Sequence, residues 1–76
     1  LDLVLKILRD APLHLSQDGL LICEVGESEH ALVKLLPDVD FAWIEFKVGQ
    51  IGIFAVECAE LIRHNARITQ LAAARK

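Results

Sequence analysis

Apolar residues recur at helical spacing in the first fifteen positions of the chain. Positions 1, 4, 5, 8, 11 and 15 are apolar, whereas two aspartates, a lysine and an arginine occupy the other side. This period predicts an amphipathic helix over 1–15. Because Pro12 has no backbone N–H, the helix is expected to end or kink near its last turn.

A strand pattern follows the turn predicted over Ser16–Gly19, where Gly19 suits a positive φ. Residues Leu20–Val25 are apolar on both faces and are closed by Gly26. Such a pattern predicts a strand that is buried on both sides. It needs neighbouring strands and packed layers above and below, which a chain of 76 residues barely supplies.

A second helix is expected after this strand, with Glu27 or Ser28 as its cap. It is expected to end at Leu36, since Pro37 disfavours helical geometry in the residue before it. The apolar positions of this helix share one predicted face. They are Ala31, Leu32, Leu35 and Leu36.

Two more strands and a last helix complete the pattern. Aromatic and β-branched residues predict strands at Phe41–Lys47 and Ile51–Val56, joined as a hairpin by a turn around Gly49. Gly52 inside a strand indicates a bulge or a close backbone approach. From Glu57 the spacing is helical again. The predicted apolar face of this helix consists of Ala59, Ile62 and Ala66.

The order of these elements restricts the sheet. A strand–helix–strand unit from Leu20 to Lys47 should form a right-handed parallel crossover, and the hairpin then returns the third strand antiparallel. The predicted fold class is therefore α/β, with a three-stranded mixed sheet flanked by helices. Its strand order is 20–25, 51–56, 41–47, with the middle strand antiparallel to its neighbours. The outer edge of strand 20–25 lacks a partner and is expected to be covered or to self-associate.

The length of 76 residues limits the chain to a single domain at most. The apolar fraction of 54% is high for 76 residues, and the chain starts at Leu1 with no Met. These features favour residues 1–76 as a single partial domain, a segment of a larger protein. The net charge of −3 and the lack of a basic stripe predict no direct nucleic-acid partner.

The sequence also argues against a membrane protein, a disulfide-bonded protein and a metal-binding protein. No apolar run approaches the ~20 residues of a membrane span, so no membrane partner is expected. Cys23 and Cys58 lie in apolar settings, which predicts free thiols and a reducing, cytoplasmic location. Neither cysteine has a partner at zinc-site spacing and the three histidines are scattered, so no metal site is predicted.

Four segments together resemble a known enzyme family. They are Asp18–Gly26 (DGLLICEVG), Leu36–Val39 (LPDV), Phe41–Phe46 (FAWIEF) and Gly52–Phe54 (GIF). From Leu1 to about Ile68, the chain resembles the C-terminal part of the PrmB-type ribosomal-protein glutamine N5-methyltransferases, siblings of the HemK/PrmC enzymes. The resemblance implies a Rossmann-like class I methyltransferase fold. It also implies a large-subunit ribosomal protein as substrate and S-adenosylmethionine as cofactor of the parent enzyme.

The resemblance also implies what the chain lacks. The family binds its cofactor through a glycine-rich loop and an acidic residue, and holds the target amide with an Asn-Pro-Pro-Tyr motif. The chain has no G-x-G-x-x-G arrangement, no Asn-Pro pair and no Tyr. No catalytic, cofactor-binding or metal residue is therefore predicted within it. The chain alone is expected to bind no cofactor and to be catalytically inactive.

Glu24 and Gly26 are the candidate site residues. They lie at the carboxyl end of the strand, the edge at which open α/β sheets bind ligands, so both are placed on the substrate side of the parent enzyme. The alternative for Glu24 is a favourable charge at the N-terminus of the next helix. For the whole chain, the alternative function is a stand-alone interaction or oligomerisation module that associates through the edge of strand 20–25.

Overall fold

The computed structural model describes residues 1–45 and 52–74 of the chain. The end of the predicted strand Phe41–Lys47, the predicted turn around Gly49 and the first residue of the predicted strand Ile51–Val56 lie outside the described residues. Within the described part, helices surround one side of a three-stranded sheet. The chain is thus α/β, and its core is formed where helices and sheet meet.

The first helix, α1, spans Asp2–Asp10 and continues into a 3-10 turn at Ala11–Leu13. Pro12 therefore ends the α-helix before the predicted limit at position 15, because it cannot donate the next helical hydrogen bond. Leu5 and Leu8 point into the core and are fully buried.

The second helix, α2, spans Glu29–Leu35 and is preceded by a 3-10 turn at Gly26–Ser28. Ser28 occupies the N-cap position, as predicted, but its side chain makes no capping hydrogen bond. Leu36 leaves helical geometry before Pro37, with φ −128° and ψ 62°, as the proline predicts. Leu32 and Leu36 are buried, whereas Ala31, predicted on the same face, is exposed.

The sheet consists of β1 at Leu20–Glu24, β2 at Ala42–Ile44 and β3 at Ile53–Glu57. The strand order is β1-β3-β2, and β3 is antiparallel to both neighbours. Strands β1 and β2 therefore run in the same direction, and their carboxyl ends lie at the same edge of the sheet.

The core lies on one face of this sheet. Phe54 and Val56 of β3 are buried there against leucines and isoleucine from the helices. Phe54 also meets Phe41 and Trp43, with ring centroids 4.7 Å and 5.4 Å away. Trp43 is half-buried and thus packs against the core.

The opposite face of the sheet, which we call the outer face, is exposed. The prediction that strand 20–25 is buried on both sides was therefore wrong. In an antiparallel sheet, directly opposed residues lie on the same face. Leu20 is 50% exposed and Ile22 is 62% exposed. Apolar alternation could not reveal this, because both faces carry apolar side chains. The outer face comprises Leu20, Ile22, Glu24, Ala42, Ile44, Ile53, Ala55 and Glu57.

The C-terminal segment forms two helices instead of one. Helix α3 spans Cys58–Arg63, and α4 spans Asn65–Ala74 after a break at His64. The predicted apolar face was wrong: Ala59, Ile62 and Ala66 are exposed. The core instead takes Cys58, Leu61, Ile68 and Ala72. The larger Leu61 and Ile68 bury more apolar area than alanines would, and so determine which side of each helix faces the core.

Candidate substrate-side rim

The carboxyl ends of β1 and β2 form the edge at which the sequence placed its candidate residues. We call Glu24, Val25, Gly26 and Gly52 the rim. The amide of Val25 donates a hydrogen bond to the carbonyl oxygen of Gly52 at 2.6 Å. The strand β1 ends at Glu24, one residue before the predicted limit, because Val25 turns away with φ −120° and ψ −4°.

Both rim glycines have left-handed backbone geometry. The φ angle is 55° at Gly26 and 73° at Gly52, a region that side chains rarely adopt. Gly52 is also buried against the backbone of Gly26. The close backbone approach predicted from Gly52 is therefore confirmed, and Gly26 is its partner. The positive φ expected at Gly19 was wrong, since only Gly26 and Gly52 have it among the described glycines.

Glu24 lies on the outer face, opposite Ile53, and its side chain is exposed. Among the described residues, no side chain makes a capping hydrogen bond to the 3-10 turn or to the helix that follows it. Burial raises the pKa of the neighbouring Cys23 thiol, and the negative charge of the Glu24 carboxylate raises that pKa further. The structure brings Glu24 and Gly26 together on one bend, with Gly52 beside them.

A second polar cluster lies at the opposite edge of the sheet and was missed by the sequence analysis. Glu60 Oε2 accepts a hydrogen bond from the backbone N–H of Asp40 at 2.8 Å. Arg63 Nη1 lies 3.6 Å from Glu60 Oε1. The spacing of three and four residues between Glu60, Arg63 and His64 is the only sequence signal for this cluster.

His64 completes this cluster without a hydrogen bond. Its Nε2 lies 3.3 Å from Glu60 Oε2, within ion-pair distance when the imidazole is protonated. The same atom is buried and has no partner in hydrogen-bond geometry among the described residues. We interpret the contact as electrostatic, because the distance is short but the orientation is poor.

A groove of about 350 Å³ opens beside this cluster, over the outer face. It combines an apolar floor with a polar wall, and it is remote from the rim. Its lining includes Leu20, Asp40, Ala42, Ala55, Glu60 and Arg63. The groove is shallow and does not contain Glu24 or Gly26, so it does not coincide with the predicted site.

Residues 1–45 and 52–74 contain no group of three or more histidine, cysteine, aspartate or glutamate side chains placed to hold a metal ion. Among the helices of that same part of the chain, none has both the length and the apolar character that a membrane crossing needs.

Comparison with known proteins identifies several close relatives. The chain is 83% identical over 75 residues to a ribosomal protein uL3 glutamine methyltransferase from Xanthomonas campestris pv. campestris, covering 99% of the chain and 24% of that protein. It is 75% identical over the same length to the protein of that name from Xylella fastidiosa strain Temecula1, again with 99% and 24% covered.

A more distant relative has the same name. A ribosomal protein uL3 glutamine methyltransferase from Francisella tularensis is 36% identical over 64 residues, covering 84% of the chain and 20% of that protein. No family model and no solved structure matches the chain. The chain spans about a quarter of the length of the first two relatives. In sequence, it corresponds to a short C-terminal piece of ribosomal protein uL3 glutamine methyltransferases.

Proposed function

We propose that this chain is the C-terminal part of an S-adenosylmethionine-dependent methyltransferase that modifies a glutamine side-chain amide of ribosomal protein uL3. The observation that carries the proposal is the 83% identity over 75 residues to a methyltransferase of that name. Such identity over nearly the whole chain favours the same fold and the same place in the protein. We further propose a cytoplasmic enzyme of the Rossmann-like class I type, related to HemK/PrmC.

The role of the chain in this enzyme is structural. The free edge of β1 and the exposed apolar side chains of the outer face support this role, because isolated domains rarely leave such surfaces uncovered. Ile22 and Ile44 would pack against the part of the enzyme that lies outside these residues. The chain thereby closes one end of a larger sheet, and its rim forms part of the substrate side.

The described residues do not fit S-adenosylmethionine. At the positive-φ bend of Gly26, the Val25 amide already donates its hydrogen bond to the Gly52 carbonyl oxygen, so this amide is not free to bind a cofactor. The sequence has no G-x-G-x-x-G arrangement that would form one elsewhere. We therefore assign cofactor binding and the methyl-transfer step to the remainder of the enzyme and derive no step within this chain.

The test is methylation of uL3 by the full-length protein that carries this chain. Purified uL3 and S-adenosylmethionine are incubated with the enzyme, and peptide mass spectrometry locates the added methyl group. We expect one modified glutamine, and no modification when the cofactor is left out. Methylation of a different protein, or none of uL3, would reject the proposed substrate.

Calorimetric titration of the 76-residue chain with S-adenosylmethionine tests the structural role. We expect no heat of binding from the isolated chain and clear binding by the full-length protein. Micromolar binding by the isolated chain would show that cofactor residues lie within it.

A stand-alone interaction module is the second candidate, favoured by the free edge and the exposed Leu20 and Ile22 of β1. Two copies could pair these edges across a two-fold axis. Light scattering separates the two proposals: a soluble dimer of the isolated chain supports the module, whereas an aggregating species supports the enzyme segment.

A further inference from the structure

The contact between Gly26 and Gly52 leaves no room for a side chain at position 52. A Cβ atom built on Gly52 would lie 2.5 Å from the amide nitrogen of Gly26 and 2.7 Å from its carbonyl carbon, and closer still to the carbonyl oxygen. These atoms belong to the backbone, so no rotamer change can relieve the overlap. Any larger residue at position 52 must push the two segments apart.

Gly26 itself has a different constraint. A Cβ atom built there would meet nothing within 4 Å, so only its positive φ disfavours a side chain. Substitutions at the two glycines therefore distinguish steric overlap from backbone strain at the same bend. Substitution of Gly52 creates a steric overlap as well as strain, whereas substitution of Gly26 creates strain alone.

The bend also depends on a hydrogen bond. The Val25 amide reaches the Gly52 carbonyl at 2.6 Å, a bond that requires the two backbones to remain this close. Glu24, the residue before Val25, is the last residue of β1 and stands opposite Ile53, the residue after Gly52. The position of the Glu24 carboxylate is thus coupled to Gly52 through adjacent backbone on both strands.

We infer that Gly52 is a positioning residue of the proposed methyltransferase, which holds the Glu24–Gly26 bend at the substrate edge of the sheet. The inference rests on the proposed function and adds to it a residue that the sequence analysis did not place at the site. Gly52 touches neither substrate nor cofactor in this role. It acts through Gly26 and Val25, and it sets where β1 ends relative to the start of β3.

The experiment compares Gly52→Ala with Gly19→Ala in the full-length enzyme. Gly19 is a matched control, because a Cβ atom there would lie 2.9 Å from the Ser16 carbonyl oxygen, also a backbone overlap, but at the opposite end of β1. We expect Gly52→Ala to lower kcat/KM for uL3 by about tenfold to a hundredfold, as displacements near 1 Å can do. The affinity for S-adenosylmethionine should stay unchanged in both variants.

A second pair of variants covers the case in which Gly52→Ala does not fold. Gly26→Ala should lower kcat/KM, whereas Gly26→Asn should restore much of it, because asparagine tolerates left-handed geometry. Rescue by asparagine is not expected if the rim plays no part in the reaction. Equal kinetics for the alanine and asparagine variants would overturn the inference.

A readout that is independent of activity separates this inference from the proposed function. Displacement of the bend should speed alkylation of the adjacent Cys23 thiol in Gly52→Ala and not in Gly19→Ala. If wild-type enzyme fails to methylate uL3, the proposed function is rejected. If wild type is active and Gly52→Ala matches Gly19→Ala in kinetics and in alkylation, only the positioning role is overturned.

Discussion

The Glu60 carboxylate binds the backbone amide of Asp40, and this 2.8 Å hydrogen bond joins α3 to the segment that leads into β2. The two residues are twenty positions apart in the chain. Glu60 also lies beside His64 and Arg63, so one carboxylate organises the polar groups at this edge of the sheet. Loss of the carboxylate would leave the Asp40 amide without this acceptor.

Replacement of Glu60 should destabilise the protein more when both carboxylate oxygens are removed than when one acceptor oxygen is kept. Glu60→Ala removes both oxygens and should cost about 1 kcal/mol, which is typical of a lost hydrogen bond. Glu60→Gln keeps a carbonyl acceptor and should cost less. Thermal melting of the full-length protein measures the difference, with the exposed Glu27→Ala as control. Equal melting temperatures for the alanine and glutamine variants would contradict this role.

Phe54 should be the most sensitive apolar position of the sheet. It is fully buried in the central strand and contacts both Phe41 and Trp43. Phe54→Ala leaves a large cavity and should lower the free energy of unfolding by about 3–5 kcal/mol. Urea unfolding, monitored by circular dichroism, measures this change in the free energy of unfolding. Ile62→Ala, on the exposed side of α3, should change it by less than about 0.5 kcal/mol.

Particular residues show how far the sequence predicts this fold. Pro12 and Pro37 end their helices as predicted, because a missing N–H and a steric restriction act locally. The apolar run Leu20–Val25, closed by Gly26, placed β1 within one residue of its observed end. Local effects such as these can be read from neighbouring positions alone.

Effects between distant segments could not be read in this way. The exposed side of β1 depends on which face the helices cover, and Leu20 and Leu21 are equally apolar. The close approach at Gly52 was predicted, but its partner Gly26 follows only from strand register. The Glu60–Asp40 bond likewise requires the path of the whole chain between them. The sequence thus named Glu24 and Gly26 of the candidate rim, while the pairing of Gly26 with Gly52 required the structure.

The ion pair between Arg9 and Asp10 should give a small pH dependence to stability. Arg9 Nε lies 2.7 Å from Asp10 Oδ1, and this hydrogen bond lowers the pKa of the Asp10 carboxyl below its usual range. Because the pKa of Asp10 is lowered in the folded state, the contribution of the ion pair to stability is fully present above the ordinary aspartate pKa. It is lost as the pH falls through the folded-state value.

Carbon-13 NMR titration of the Asp10 carboxyl measures this shift. The titration midpoint should lie below that of an ordinary aspartate and return toward it in Arg9→Gln. Both residues are partly exposed, so salt near 1 M should also reduce the shift by screening the pair. A midpoint that is the same in Arg9→Gln and wild type would show that the ion pair does not persist in solution.

Cys23 should be a slow nucleophile whose reactivity reports on Glu24. Burial is the larger cause of its raised pKa and the Glu24 charge is the smaller one. Glu24→Gln should therefore lower the pKa of the thiol only in part. The rate of alkylation by iodoacetamide, measured across pH, should rise at lower pH in Glu24→Gln than in wild type. Asp18→Gln, an exposed acid before β1, is the control and should leave the profile unchanged.

The outer face offers a direct test of whether the rest of the enzyme covers it. Ile22 on β1 and Ile62 on α3 are similarly exposed in this chain, at 62% and 57%. Within the isolated chain, Ile22→Asp and Ile62→Asp should therefore have similar, small effects on stability. In the full-length enzyme, Ile22→Asp should bury an unpaired charge and lower the melting temperature far more than Ile62→Asp does.

Hydrogen exchange of the β1 amides provides the matching measurement in the unaltered protein. The edge of β1 that faces away from β3 should exchange slowly in the full-length enzyme if it is covered there, and faster in the isolated chain. Equal melting temperatures for the two aspartate variants in the full-length enzyme, together with fast exchange at β1, would show that this face is open to solvent. The structural role proposed for the chain would then be wrong, because the exposed apolar side chains of the outer face would have no partner.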